Sequence, residues 1–201
     1  YMTLQSIKRW TAAEYLAFER HHPEKHMFVD GNVILQAGSS RAHAIISANV
    51  LSNLHQQLHA RSCTVYGSDM RIAIPKAKRY VYADVTVACQ TSQFEDDQED
   101  ILTNPTLIVE VLSPSTERDD RGKKFLAYQT INSFQEYLVI AQDSIFIEHF
   151  VRHTDKLWLF EAITDLTSEV RLGSIDCTLS IASIYEKIRF DSLPDDPDQD
   201  A

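Results

Sequence analysis

The sequence predicts one α/β (α+β) domain, a mixed central β-sheet flanked by helices, with an added N-terminal hairpin and additional C-terminal strands. Three observations carry this. Helical and strand-like periodicities alternate along the chain without an internal repeat. Thr106 to Leu112 (TLIVEVL) is a short, nearly continuous apolar run, as a strand covered on both faces requires. From Arg41 to about Ala60, Ile45, Ile46, Val50, Leu51, Leu54 and Leu58 recur at helical spacing, which supplies an amphipathic helix to cover such a sheet.

Taken in order, Thr11-Ala12-Ala13-Glu14 has the form of a capping box, and Tyr15, Leu16 and Phe18 continue it as a short helix ending near His22-Pro23. Two apolar runs, His26 to Val29 and Asn32 to Ala37, flank Asp30-Gly31, a dipeptide that tolerates positive φ and signals a tight hairpin. After the long helix, strands are expected at Cys63 to Gly67, Met70 to Ile74 and Tyr80 to Ala88. The buried strand at Thr106 to Leu112 precedes a helix from about Asp120 to Ile131. Strands at Glu136 to Ala141, Ser144 to Arg152, Lys156 to Ala162 and Cys177 to Leu179 then lead to a final helix ending near Lys187. Residues 1–190 read as a single domain and 191–201 as an acidic flexible tail.

A chain of 201 residues buries enough surface to need no cross-link for stability. No apolar run approaches the roughly 20 residues of a membrane span. Lys8, Arg9 and Glu14 interrupt the first residues, so no secretory signal is expected and a cytoplasmic location is the default. Cys63, Cys89 and Cys177 are far apart and form no C-x-x-C pair, so reduced thiols are expected. The net charge of −10 does not exclude nucleic acid, because the acids cluster. Glu95, Asp96, Asp97, Glu99 and Asp100 share one loop; Asp191, Asp195, Asp196, Asp198 and Asp200 share the tail. Setting these aside leaves 19 acidic residues against 19 basic ones, and both clusters read as solvated, flexible surface.

Glu110 is the odd residue of its strand, since a carboxylate in a buried strand costs several kcal/mol unless its charge is compensated. In Tyr80 to Ala88, read with period two, Tyr80, Tyr82, Asp84, Thr86 and Ala88 share one face, and Asp84 is the strand's one charge. Were the two strands neighbours, Asp84 and Glu110 would converge and repel unless a cation lay between them, which suits a hard divalent ion such as Mg²⁺ or Mn²⁺. On the following helix Asp120, Lys124 and Tyr128 share a face at i, i+4 and i+8, and Lys124 is placed to bring an ammonium to the same site. Spacing alone leaves structural alternatives open: a surface Asp120–Lys124 pair, a local role for Asp84, and a buried ion pair at Glu110.

The segment TLIVEVLSPSTERDDRGKKFLAYQTINSFQEYLVI, residues 106–140, together with SDMRIAI at 68–74 and YVYADVTV at 80–87, resembles the Uma-type restriction endonuclease family (Uma2, DUF820), common in cyanobacteria. That family is placed in the PD-(D/E)XK nuclease superfamily, and the resemblance extends over nearly the whole chain. It implies a restriction-endonuclease-like core and a Mg²⁺- or Mn²⁺-dependent endonuclease acting on DNA. Carried over by position, Asp84 and Glu110 match the motif acids as catalytic and metal-binding residues, with the peptide carbonyl of Val111 as third ligand. Leu112 stands where the usual motif lysine would be, and Lys124, with Lys123 beside it, is the match from the following helix. The sequence departs from the family at Ala83, where proline is usual, and at Met27 and Asn32, where relatives carry glutamates; loss of the first glutamate would weaken the metal site. A catalytically weakened homologue that binds nucleic acid or protein is therefore the alternative reading.

His43, at the start of the long helix, matches a frequent family histidine and is a candidate to touch substrate, although such a residue is commonly a cap. Arg121 and Tyr128 are candidate substrate-binding or supporting residues, and Arg71 and Arg118 are further candidates for phosphate contact. His21, His22, His26, His55, His59, His149 and His153 show no metal-binding spacing. No glycine-rich phosphate loop or nucleophile elbow is present. A homodimer is the expected assembly, because two sites suit two strands.

Overall fold

The computed structural model describes residues 8–36, 38–114 and 116–190. Ala37, Ser115 and the acidic tail expected at 191–201 lie outside the described residues.

The chain opens with helix α1 (Ala12–Glu19), whose Thr11 and Glu14 complete the expected capping box. The helix stops a turn before His22-Pro23. Strands β1 (His26–Val29) and β2 (Asn32–Leu35) pair about Asp30 and Gly31, both at positive φ. Helix α2 (Arg41–Leu58) presents Ile46, Val50, Leu54 and Leu58 inward. Next come β3 (Cys63–Gly67), β4 (Arg71–Ile74), β5 (Arg79–Tyr82), β6 (Val85–Cys89), the two-residue β7 (Ile101–Leu102) and β8 (Leu107–Val111). After α3 (Glu117–Asp119), a π-turn (Asp120–Lys124) and α4 (Phe125–Tyr128), the strands β9 (Glu136–Ile140), β10 (Ile147–Arg152), β11 (Trp158–Ile163), β12 (Glu169–Leu172) and β13 (Cys177–Ser180) lead to α5 (Ile181–Ile184). The strands β7 and β12 carry no periodic signal long enough to read.

Two sheets organise the domain. One runs β2-β1-β5-β4-β7 and the other β11-β10-β9-β8-β6-β3, with β12–β13 as a separate pair. Within the six-stranded sheet β8 runs parallel to β9 and antiparallel to β6. One core cluster joins α2, β12, β13 and α5 to Val85, Val87, Leu107, Val109 and Val111. The second joins β4, β5 and α4 to Ile108, Leu112, Tyr137 and Val139 on the opposite face. Strand alternation therefore turns Glu110 toward the second cluster, with Ile108 and Leu112.

The single strand expected over Tyr80 to Ala88 is two strands in different sheets. Val81 and Ala83 pack in the second cluster while Val85 and Val87 pack in the first, so the period-two alternation breaks at Asp84. The chain crosses between sheets there, and Asp84 sits at the corner rather than on a strand face.

Two further expectations are corrected. Cys63 and Cys89 form a disulfide, because the antiparallel register of β3 and β6 sets them directly opposite despite a separation of 26 residues; Cys177 is free and buried. The acidic loop is not simply solvated. Arg20 grips Asp100 at 2.8 and 3.0 Å and Asp96 at 2.7 Å, and the Tyr80 hydroxyl donates to Glu95 at 2.7 Å.

Candidate active site at the corner between the sheets

Glu110, Lys124, Asp120 and Tyr128 meet in a buried cluster. The Lys124 ammonium lies 2.6 Å from Glu110 Oε1 and 3.1 Å from Asp120 Oδ1, and donates to the Tyr82 carbonyl at 3.2 Å. The Tyr128 hydroxyl donates to the same Glu110 oxygen at 2.8 Å. Glu110, Asp120 and Lys124 are 3%, 2% and 5% exposed, so the Asp120–Lys124 pair is an interior one rather than a surface one. The π-turn that carries both residues has a wider backbone than an α-helix, a geometry frequent at functional sites. Tyr137 anchors this turn by donating to the Asp120 carbonyl at 3.0 Å.

Asp84 arrives from the corner that precedes β6. The last paired residues of β6 and β8 are Val85 and Val109, so the corner residue Asp84 follows beside Glu110. Its Oδ2 accepts the Val111 N–H at 2.7 Å and faces His43 Nε2 at 3.3 Å. Ser40 caps α2 by accepting from the His43 N–H at 3.1 Å, which fixes the first turn from which the imidazole reaches Asp84. The corner thus draws residues from α2, the β5–β6 junction, β8 and the π-turn.

Charge governs this cluster. Burial pushes the Glu110 carboxyl up; Lys124 pulls it back in part, and Asp120 and Asp84 raise it further, to about 8. Burial alone would lower the Lys124 pKa, but Glu110 and Asp120 more than reverse that and hold it charged. For His43 burial also acts downward, and Asp84, Asp120 and the Val111 carbonyl raise it above its ordinary value. Three carboxyl groups therefore surround one ammonium and one imidazole.

These residues fit a hard divalent cation. The donors are oxygens, and three carboxyl groups face one ammonium and one imidazole. The Val111 carbonyl is near enough to act on the His43 imidazole, which already meets Asp84. His43 Nδ1 is buried and has no hydrogen-bond partner among the described residues, as expected beside a polar ligand. Asp84, Glu110 and the Val111 carbonyl would hold the ion.

The remaining candidates are placed elsewhere or otherwise engaged. Arg121 pairs with Glu117 and with Glu148, the latter at 2.5 Å, so its guanidinium is already matched. Arg71 is buried and bonded to the Tyr82 hydroxyl at 3.0 Å and Asp100 at 3.4 Å. Arg118 is exposed. Tyr128 supports Glu110 from the interior and is fully buried. Met27 packs against the second core cluster, and Asn32 donates to the Val29 carbonyl at 3.2 Å within the hairpin.

Residues the sequence did not expose are Tyr137, whose role depends on the π-turn, and Glu19. Glu19 is buried and accepts from the Tyr82 hydroxyl at 2.9 Å and the His26 N–H at 2.8 Å, bracing the strand whose carbonyl meets Lys124. Spacing also hid a trio of donors. His22, Glu24 and His26 offer ligand atoms within 4.8 Å of one another, because the turn after α1 folds two histidines together. No other group of three or more His, Cys, Asp or Glu ligand atoms meets that limit among the described residues.

The chain is similar to known proteins over most of its length. The model of the Uma2 family, described as "Putative restriction endonuclease", matches residues 12–181. Uncharacterized protein sll1609 of Synechocystis sp. is 36% identical over 172 residues, covering 86% of this chain and 97% of the relative. Protein slr1290 of the same organism is 33% identical over 177 residues, covering 88% and 92%. A crystal structure from Anabaena variabilis, described as a "putative nuclease belonging to DUF820", superposes with a TM-score of 0.70 at 16% identity, over 88% of this chain and 97% of that one. That likeness establishes the restriction-endonuclease-like fold, and no helix among the described residues is long and apolar enough to cross a membrane. By its sequence match over residues 12–181, the chain belongs to the Uma2 family.

Proposed function

We propose that the protein is a Mg²⁺- or Mn²⁺-dependent endonuclease that hydrolyses phosphodiester bonds of DNA in the cytoplasm. The observation that carries this reading is the Lys124 ammonium 2.6 Å from Glu110, in a cluster where carboxyl groups outnumber cationic ones and Asp84 enters from the corner that precedes β6. A bound divalent ion supplies Lewis-acid polarisation of a phosphoryl oxygen and lowers the pKa of a bound water. Asp84 and Glu110 hold the negative charge that selects the ion. Lys124, kept charged by Glu110 and Asp120, orients the attacking water and offsets charge developing on the phosphoryl group. His43 accepts or returns a proton beside Asp84, and Tyr128 holds Glu110 in place. Two copies related by a two-fold axis would address two strands.

Plasmid DNA incubated with the protein and Mg²⁺ or Mn²⁺ tests this. Cleavage is expected to fall by about 10²-fold or more in Asp84→Asn and in Lys124→Ala. Cleavage unchanged in both removes the assigned roles. The replacement of a usual family acid by Met27, packed in the second core cluster, favours a second reading, a non-catalytic module that binds nucleic acid or protein. That reading predicts DNA binding without cleavage under every metal condition.

A further inference from the structure

We propose a second metal centre, for a zinc-class transition-metal ion, at His22, Glu24 and His26 in the turn between α1 and β1. Two imidazoles and a carboxylate are the donor set of such ions, whereas the oxygen donors around Asp84 and Glu110 suit harder cations. One ligand atom from each residue lies within 4.8 Å of the other two. Ligands about 2.0–2.1 Å from a tetrahedral ion stand roughly 3.4 Å apart, so the three donors, already within 4.8 Å of one another, need draw together by no more than about 1.4 Å.

The second observation is the way the rings are held. His26 Nδ1 meets the buried Glu19 Oε2 at 3.2 Å, whereas His22 Nδ1 accepts the Glu24 N–H at 3.2 Å and lies 3.3 Å from the Glu24 carbonyl. For His26, an Nδ1–H committed to the Glu19 carboxylate leaves Nε2 as the ligand atom, the arrangement in which a carboxylate orients a metal-binding histidine. Phe18 packs on both rings, at 4.6 and 5.2 Å between centroids, and the imidazoles themselves stand edge to face at 4.7 Å. Glu19 holds Tyr82 as well as His26, so an ion here ties the turn to β5. Its role is to brace the N-terminal hairpin, independently of the hydrolytic chemistry proposed for the corner.

The test uses the full chain carrying Asp84→Asn and Glu110→Gln, so that the acidic corner does not contribute. Zn²⁺ is titrated with thermal unfolding as the readout, and Co²⁺ is titrated as a spectroscopic probe. The expected result is saturable binding, a raised Tm with Zn²⁺, and Co²⁺ absorption of a four-coordinate ion with nitrogen ligands. Affinity is expected to fall by about tenfold or more on adding His22→Ala, and likewise on adding Glu24→Gln, a change at an exposed position that leaves folding intact. Affinity unchanged by both substitutions, or a Co²⁺ spectrum identical to the aquo ion, overturns the proposal.

Discussion

Two buried glutamates on neighbouring strands, Glu110 on β8 and Glu136 on β9, have opposite surroundings. Glu136 is fully buried, and protein donors saturate it. It meets His149 Nε2 at 2.8 Å and accepts from the Gly173 N–H at 3.1 Å, the Ser174 N–H at 3.0 Å and the Ser174 hydroxyl at 2.5 Å. It ties β9 to β10 and to the turn between β12 and β13. Glu110 instead takes both its contacts, from Lys124 and Tyr128, on one oxygen and has Asp120 and Asp84 as like-charged neighbours. A buried carboxylate ringed by donors is a structural tie. One ringed by other carboxylates is a site that gains from a cation.

The largest expected effect sharpens this contrast at the one ammonium of the cluster. Lys124→Ala leaves Glu110 and Asp120 buried without their partner, and urea unfolding at pH 8 should show a loss of about 3–5 kcal/mol. The loss should shrink at pH 5, where Glu110 holds a proton and no longer needs a partner charge. A pH-independent loss would mean that packing, not charge, is what Lys124 contributes.

Next in size is Glu136→Ala, which strands the donors from Gly173 and Ser174 and should cost about 3 kcal/mol by the same measurement. Metal binding and DNA cleavage by the folded protein should be unaffected. A selective loss of cleavage at full stability would break the contrast from the structural side.

The smallest effect concerns Glu110→Gln and its pH dependence. With its carboxyl at about 8 when folded, against an ordinary value of 4.5, the folded protein keeps a proton that the unfolded chain has released. This contribution to stability is fully present below about 4.5, and it is lost as pH rises through about 8. Glu110→Gln should flatten that decline and raise metal-free stability at pH 8 by about 1–2 kcal/mol. Mg²⁺ should stabilise the parent protein more at pH 8 than at pH 6, since protons no longer compete for the carboxylate.

Much of this was legible in the residues. The capping box at Thr11 and Glu14, the Asp30-Gly31 hairpin and the amphipathic α2 are local patterns, and local energetics decide them. Glu110 stood out because a charge in an apolar run violates burial. The corner at Asp84 was not legible, since Tyr80 to Ala88 reads as one uninterrupted strand and only pairing with two different sheets breaks it. The π-turn at Asp120–Lys124 likewise has no periodic signature; it changes hydrogen bonding over one turn. Cys63 with Cys89, and Glu136 with His149, are cross-strand partnerships set by register, which spacing along the chain does not reveal. The trio at His22, Glu24 and His26 was missed for the related reason that a turn, not a helix face, brings it together.

The most direct measurement is calorimetric titration of Mn²⁺ into three proteins: the parent, Glu110→Gln and Glu136→Gln. All carry His22→Ala so that the histidine trio does not contribute. The account predicts binding with proton release near neutral pH in the parent and in Glu136→Gln, and its loss in Glu110→Gln. Equal binding by all three proteins would contradict it.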